Sequence, residues 1–127
     1  MIYLTKEQLV LIHSLVINET GGSHGIRDPH PILSLEHSPR QSVFGRELYP
    51  TPFLKAAVYA REIITTHPFV DGNKRTAMTA ATVFLEHNGY QFTAQRREIA
   101  RFALKIIEKK LNLEAIAAWL EQHAKKS

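Results

Sequence analysis

The sequence predicts an all-α protein, and three observations carry that prediction. Apolar residues recur at helical spacing in five separate stretches, cap signals or glycines bound those stretches, and strand-like alternation is scarce. The first stretch opens at Thr5, which forms a capping box with Gln8. Leu9, Ile12, Leu15 and Val16 follow as its inward residues until Gly21 and Gly22 stop the run. Residues 21 to 52 then hold four of the six Gly and five of the six Pro, so a long loop or flap separates the first and second main helices. Val43 and Phe44 supply at most a short strand within it.

The second helix starts with Thr51 as N-cap and Pro52 at its first position. Phe53, Ala56, Ala57, Tyr59, Ala60, Ile63 and Ile64 give it a broad apolar face up to Thr66. A third run goes from about Asn73 to Asn88, with Gly89 placed as a C′ glycine. Its Ala77, Ala80, Ala81, Phe84 and Leu85 predict a buried central helix. Thr93 is expected to open a fourth helix carrying Ile99, Phe102, Ala103, Ile106 and Ile107. Asn112 caps the last, with Ile116, Trp119 and Leu120 facing inward.

A chain of 127 residues forms a single domain, 1–127, and buries roughly two thirds of the surface its unfolded form exposes. The absence of Cys excludes a disulfide frame, a thiol nucleophile and an iron–sulfur cluster. No stretch approaches ~18 apolar residues, and Met1 to Leu11 meets Lys6 and Glu7 too early for a signal peptide, so a soluble, cytoplasmic protein without membrane contact is expected. The net charge of +4 is compatible with an anionic partner. Arg97, Arg101, Lys105 and Lys109 recur every four residues, but Glu98 and Glu108 interrupt them. That pattern reads as a solvated helix face, and direct nucleic-acid binding is not expected. His13, His24, His30 and His37 show no ligand spacing, and His13 is assigned to packing or to the surface. Arg27 with Asp28 either shapes the loop or touches substrate, and an Asx turn is an equal option for Asp28.

The chemistry concentrates in His67-Pro68-Phe69-Val70-Asp71-Gly72-Asn73-Lys74-Arg75-Thr76. A helix N-terminus offers unpaired N–H groups and the positive end of a dipole, and Gly72 allows close backbone approach. Lys74 and Arg75 add two positive charges at that positive end, which opposes helix stability unless an anion sits there. Asp71 is a candidate Mg²⁺ ligand beside phosphate oxygens. His67 is a candidate acceptor of a hydroxyl proton. The plain alternative is that Asp71 pairs with Lys74 or Arg75, Asp71-Gly72 is a turn, and His67 is a surface residue at a helix end. A Walker loop fails on glycine spacing, an EF-hand lacks its later acidic positions, and zinc at His67 and Asp71 lacks a third nearby His.

The same eleven residues, His67 to Ala77, closely resemble the signature of the Fic/Doc superfamily, in the lysine-bearing form of death-on-curing (Doc) toxins. Gly25-Ile26-Arg27-Asp28, Phe44-Gly45 with Leu48-Tyr49-Pro50, Phe84-Leu85 with Asn88-Gly89-Tyr90, and Trp119-Leu120 are similar to Doc landmarks in the same order. The resemblance implies a compact Fic/Doc helical fold, with His67 as general base, Asp71 as the Mg²⁺ ligand, and Asn73 and Arg75 on phosphate oxygens. Phe69 would anchor the loop in the core, and Gly72 and Lys74 would complete the nucleotide site. Lys74 stands where adenylyltransferases carry glycine, and in Doc toxins it accompanies an inverted ATP that presents its γ-phosphate. The implied activity is phosphorylation of a protein hydroxyl, with elongation factor Tu as target and translation blocked. The alternatives are nucleotidyl transfer by the same loop and a catalytically idle antitoxin-binding module. Thr82 and Glu86 have the spacing of the Fic inhibitory motif, but His87 follows and the pair lies inside the third helix. A separate Phd-type antitoxin is therefore implied.

Overall fold

The computed structural model describes residues 1–127. Six helices account for most of the chain: α1 Lys6–Thr20, α2 His30–Ser34, α3 Pro52–Thr66, α4 Asn73–His87, α5 Arg96–Glu108 and α6 Leu113–Gln122. Two small antiparallel pairs join them, β1 Ser42–Val43 with β2 Arg46–Glu47, and β3 Tyr90–Phe92 with β4 Ala124–Lys126. The fold is mostly helical, as the periodicity predicts.

Several boundaries follow from side-chain caps. Thr5 Oγ1 accepts from the Gln8 N–H at 3.1 Å while Gln8 Oε1 accepts from the Thr5 N–H at 2.8 Å, so α1 begins with a reciprocal capping box. Thr51 and Asn112 likewise accept from the third residue on, Leu54 and Ala115. Past the end of α4, Gly89 takes a φ of 91° that a side chain would strain.

Four expectations are corrected. The loop between α1 and α3 holds a further helix, α2, and a 3-10 turn over Ser38–Arg40, elements too short for periodicity to reveal. Leu15 is 58% exposed, because the buried stripe of α1 centres on Leu9, Ile12, His13, Val16 and Ile17. The fourth main helix begins at Arg96, not Thr93. Gln95 and Glu98 form its capping box, while the Thr93 N–H and hydroxyl both donate to His123 O at 2.6 and 2.8 Å. The β3–β4 pairing, invisible as a local pattern, holds residues 90–92 extended and brings Thr93 to the end of α6.

The centre is a pair of helices rather than one. Ala56, Ala57 and Ala60 on α3 and Ala77, Ala80 and Ala81 on α4 are all fully buried, and small side chains let two helix backbones approach closely. Phe84 anchors the same layer, its ring 5.2 Å from Tyr59 and 6.0 Å from Tyr3. At the opposite end Trp119 stacks between Phe102 and His123, each at 4.1 Å. Arg97, Arg101, Lys105 and Lys109 are exposed, as a solvated face requires. No helix is long and apolar enough to cross a membrane.

The β1–β2 hairpin is tied down by Lys55 of α3, whose side chain is fully buried. Its Nζ donates to Pro39 O at 3.0 Å and to Glu47 Oε1 at 2.8 Å. Burial alone would lower the pKa of this ammonium, but hydrogen bonds to Glu47 and Tyr3 outweigh it and raise the pKa above the usual lysine value. Phe44 stands at the hairpin tip, fully exposed and at a φ of 51°.

Candidate active site

The segment from His67 to Arg75 joins α3 to α4, and contacts from two sides fix its path. His67 is the residue that terminates α3, with a φ of 50° in the left-handed region and its N–H donating to Ile63 O. A histidine in that conformation carries a strain of roughly 1–2 kcal/mol and needs outside support. Arg27 supplies it. Its Nε and Nη2 donate to the carbonyls of His67 and Thr66 at 2.6 and 2.5 Å, which also satisfies two helix-end acceptors. The N–H groups of Arg27 and Asp28 both donate to Pro68 O, and Val70 N–H donates to Gly25 O. Residues 25–28 thus strap the segment from outside.

Of the two readings left open for Arg27 and Asp28, loop shaping is what the structure contains. Asp28 Oδ1 accepts from the His30 N–H and pairs with His30 Nδ1 at 2.9 Å, which is an Asx turn. Those hydrogen bonds, side chain first, hold the Asp28 carboxyl below the usual carboxylate range.

Support from inside comes from α1 and from the loop itself. Phe69 is buried and lies flat on His13, ring centroids 3.9 Å apart and planes 5° from parallel. His13 Nε2 lies 2.8 Å from Asp71 O. Asn73 closes the loop through its amide, Oδ1 accepting from Phe69 N–H and Nδ2 donating to Phe69 O. The side chain expected on phosphate is thereby engaged within the loop. Asn73 also offers a ligand its main-chain N–H, which no carbonyl takes.

Asp71 does not pair with Lys74 or Arg75. Its Oδ1 accepts from Gly72 N–H at 2.9 Å and its Oδ2 from Ser23 N–H at 3.2 Å, which leaves both cations exposed and outside every ion pair of the chain. Glycines make this close approach possible. A Cβ on Gly22 would lie 2.6 Å from Asp71 Oδ2, and one on Gly72 would lie 2.9 Å from Ile17 Cδ1. The His67 imidazole is exposed and makes no side-chain hydrogen bond.

The start of α4 is consequently a cluster of donors. Gly72 caps it without a side-chain bond, and no carbonyl takes the N–H groups of Asn73, Lys74 or Arg75. Thr76 Oγ1, one turn in, is buried without a partner. Free N–H groups, the positive end of a helix dipole and two unpaired cations in its first turn are what an anion site requires. Asp71 is the carboxylate of the same loop, and no cluster of three His, Cys, Asp or Glu side chains exists to cage a metal. That donor set suits a dication drawing its other ligands from phosphate and water, as Mg²⁺ does.

The sequence reading placed the chemistry between His67 and Arg75 and missed what supports it: Arg27 as strap, Ser23 N–H on Asp71, and His13 beneath Phe69. Only the adjacent Gly21-Gly22 hinted that α1 ends against something. The sequence has counterparts among known proteins. The Fic/DOC family model matches residues 3–85. Over 92 residues the chain is 36% identical to Toxin Doc of Mycolicibacterium smegmatis, covering 72% of this chain and 68% of that protein. Over 91 residues it is 32% identical to Protein kinase doc of Escherichia phage P1, covering 72% and 71%.

Proposed function

The chain belongs to the Fic/DOC family, and from that premise we propose that it is a Doc-type toxin. It transfers the γ-phosphate of ATP to a hydroxyl of a target protein, elongation factor Tu, and so blocks translation. One observation carries the reading: Lys74 and Arg75 stand unpaired at the bare N-terminus of α4 while the neighbouring Asp71 carboxylate is turned onto backbone N–H groups. Two cations left without counter-ions at the positive end of a helix are stable company for a polyphosphate.

The N–H groups of Asn73, Lys74 and Arg75 hold phosphate oxygens, and Gly72 lets them come close. Arg75 and Lys74 stabilise charge on the transferred group. His67 takes the proton of the target hydroxyl as its oxygen bonds to the γ-phosphorus. The bond from that phosphorus to the β,γ-bridging oxygen breaks, ADP leaves, and the proton remains on the imidazole. Mg²⁺ bound at Asp71 would neutralise phosphate charge. Lys74, where adenylyltransferases have glycine, fills space and favours γ- over α-phosphoryl chemistry. A separate Phd-type antitoxin restrains the enzyme, a reading supported by the likeness to Toxin Doc and by the place of Thr82 and Glu86 inside α4.

Incubation of the protein and its target with ATP labelled separately at the α and γ positions tests this. Label transferred from the γ position is expected. Transfer from the α position would make the protein an adenylyltransferase, and transfer from neither would leave a binding module.

A further inference from the structure

Beneath the active-site loop lies a titratable side chain to which the proposed chemistry gives no role. His13 is 3% exposed in the middle of α1, far in sequence from the loop it touches. We propose that His13 is a positioning residue: from its Nε2–H it holds the peptide between Asp71 and Gly72 in one of two orientations, and so sets the Asp71 carboxylate and the start of α4. This rests on the phosphotransfer reading for its consequence, though not for its geometry.

Three observations point there. Asp71 O accepts at 2.8 Å from His13 Nε2, which requires a proton on that nitrogen. The imidazole is locked by its parallel stack on Phe69, and His24 stands edge-on to it at 6.5 Å, so the donor direction is fixed. The third is Gly72 itself, at a φ of 72°. A peptide before a glycine can rotate at little cost, because glycine accepts either sign of φ. In a trans peptide the C=O and N–H point oppositely. Tying the Asp71 carbonyl to His13 therefore points the Gly72 N–H the opposite way, where Asp71 Oδ1 takes it at 2.9 Å. Without the donor, a second orientation of that plane becomes accessible, in which the carboxylate loses one of its two N–H partners.

Two variants separate donor from ring. His13→Phe keeps the stack and loses the hydrogen bond, whereas His13→Gln keeps an N–H near the Nε2 position and loses the ring. Amide NMR of the full chain is read first, because it needs no activity. In His13→Phe the Gly72 and Asn73 resonances should shift and broaden while those of α6 stay in place, and His13→Gln should largely restore them. The parent and both variants are then assayed with γ-labelled ATP. His13→Phe should lower kcat about tenfold or more with KM for ATP changed less, and His13→Gln should recover most of it. Unchanged Gly72 resonances in His13→Phe would overturn the proposal. So would two variants equally impaired in both readouts, since that is loss of packing alone. If the parent transfers no label, phosphotransfer falls while the NMR comparison still decides the positioning role.

Discussion

At the scale of single residues, the loop divides its side chains between structure and chemistry. Phe69 and Asn73 face inward and are consumed by the core and by the loop's own backbone, whereas His67, Lys74 and Arg75 are exposed and unpaired. The exposed group can be changed with little cost in folding, so activity should separate from stability there. His67→Ala is expected to lower transfer ~10²–10⁴-fold with nucleotide affinity nearly intact, because a general base acts on a proton in the transition state. Turnover equal to the parent's would remove His67 from the mechanism. Lys74→Gly should lose γ-phosphoryl transfer, by opening space and removing a charge, and Lys74→Arg distinguishes the two effects. A point-charge role tolerates the guanidinium and an occlusion role does not. Parent-level γ transfer by Lys74→Gly would mean that this residue does not choose the chemistry.

At the scale of elements, the candidate active-site segment is held by a strap from the loop after α1. Residues 25–28 pair with residues 66–70, and Arg27 places two N–H donors on consecutive carbonyls at the end of α3. Its guanidinium is exposed, so its contribution to global stability is small, about 1 kcal/mol. Its effect on His67 is larger, because the left-handed backbone there is held by that strap. Arg27→Ala should therefore reduce kcat several-fold while shifting the urea midpoint little. Arg27→Lys, which keeps the charge but loses the fork, should restore little. Full activity in Arg27→Lys would show that charge near the site, not geometry, is what Arg27 supplies.

Across the whole molecule, stability is coupled to pH through the central layer. Tyr59 lies in it fully buried, accepting from the Leu4 N–H at 3.1 Å, and burial pushes its phenol up to about 12. An unfolded tyrosine titrates near 10, so the folded state disfavours the phenolate. The resulting stabilisation, on the order of 2 kcal/mol, is complete below pH 10 and is lost as pH rises from 10 through about 12. Lys55, with its raised pKa, adds to the same alkaline loss. Tyr59→Phe should be less stable at pH 8 by ~1–3 kcal/mol, since it leaves the Leu4 N–H without an acceptor, but should lose less on going to pH 11. Urea midpoints at the two pH values check this. A parent that declines no more than the variant would exclude the phenol as the cause.

By itself the sequence determined the main helices, the caps at Thr5, Thr51 and Asn112, and the turn from His67 to Arg75 as the candidate site. Each depends on residues three or four apart, and physical forces at that range leave a readable period. Tertiary structure alone decided how that stretch is held and which of its side chains remain free. Arg27 reaches His67 across 40 residues, His13 reaches Asp71 across 58, and β3 meets β4 from the far end of the chain. Contacts of that kind impose no spacing on the sequence, so His13 in α1 reads from sequence as no more than a packing or surface residue. Whether Asp71 would neutralise Lys74 and Arg75 or leave them bare was equally open, since the neighbouring charges allow both. In the structure the approach of Gly22 and Ser23 from the end of α1 gives the carboxylate a second N–H donor besides that of Gly72, and it pairs with neither cation at the start of α4.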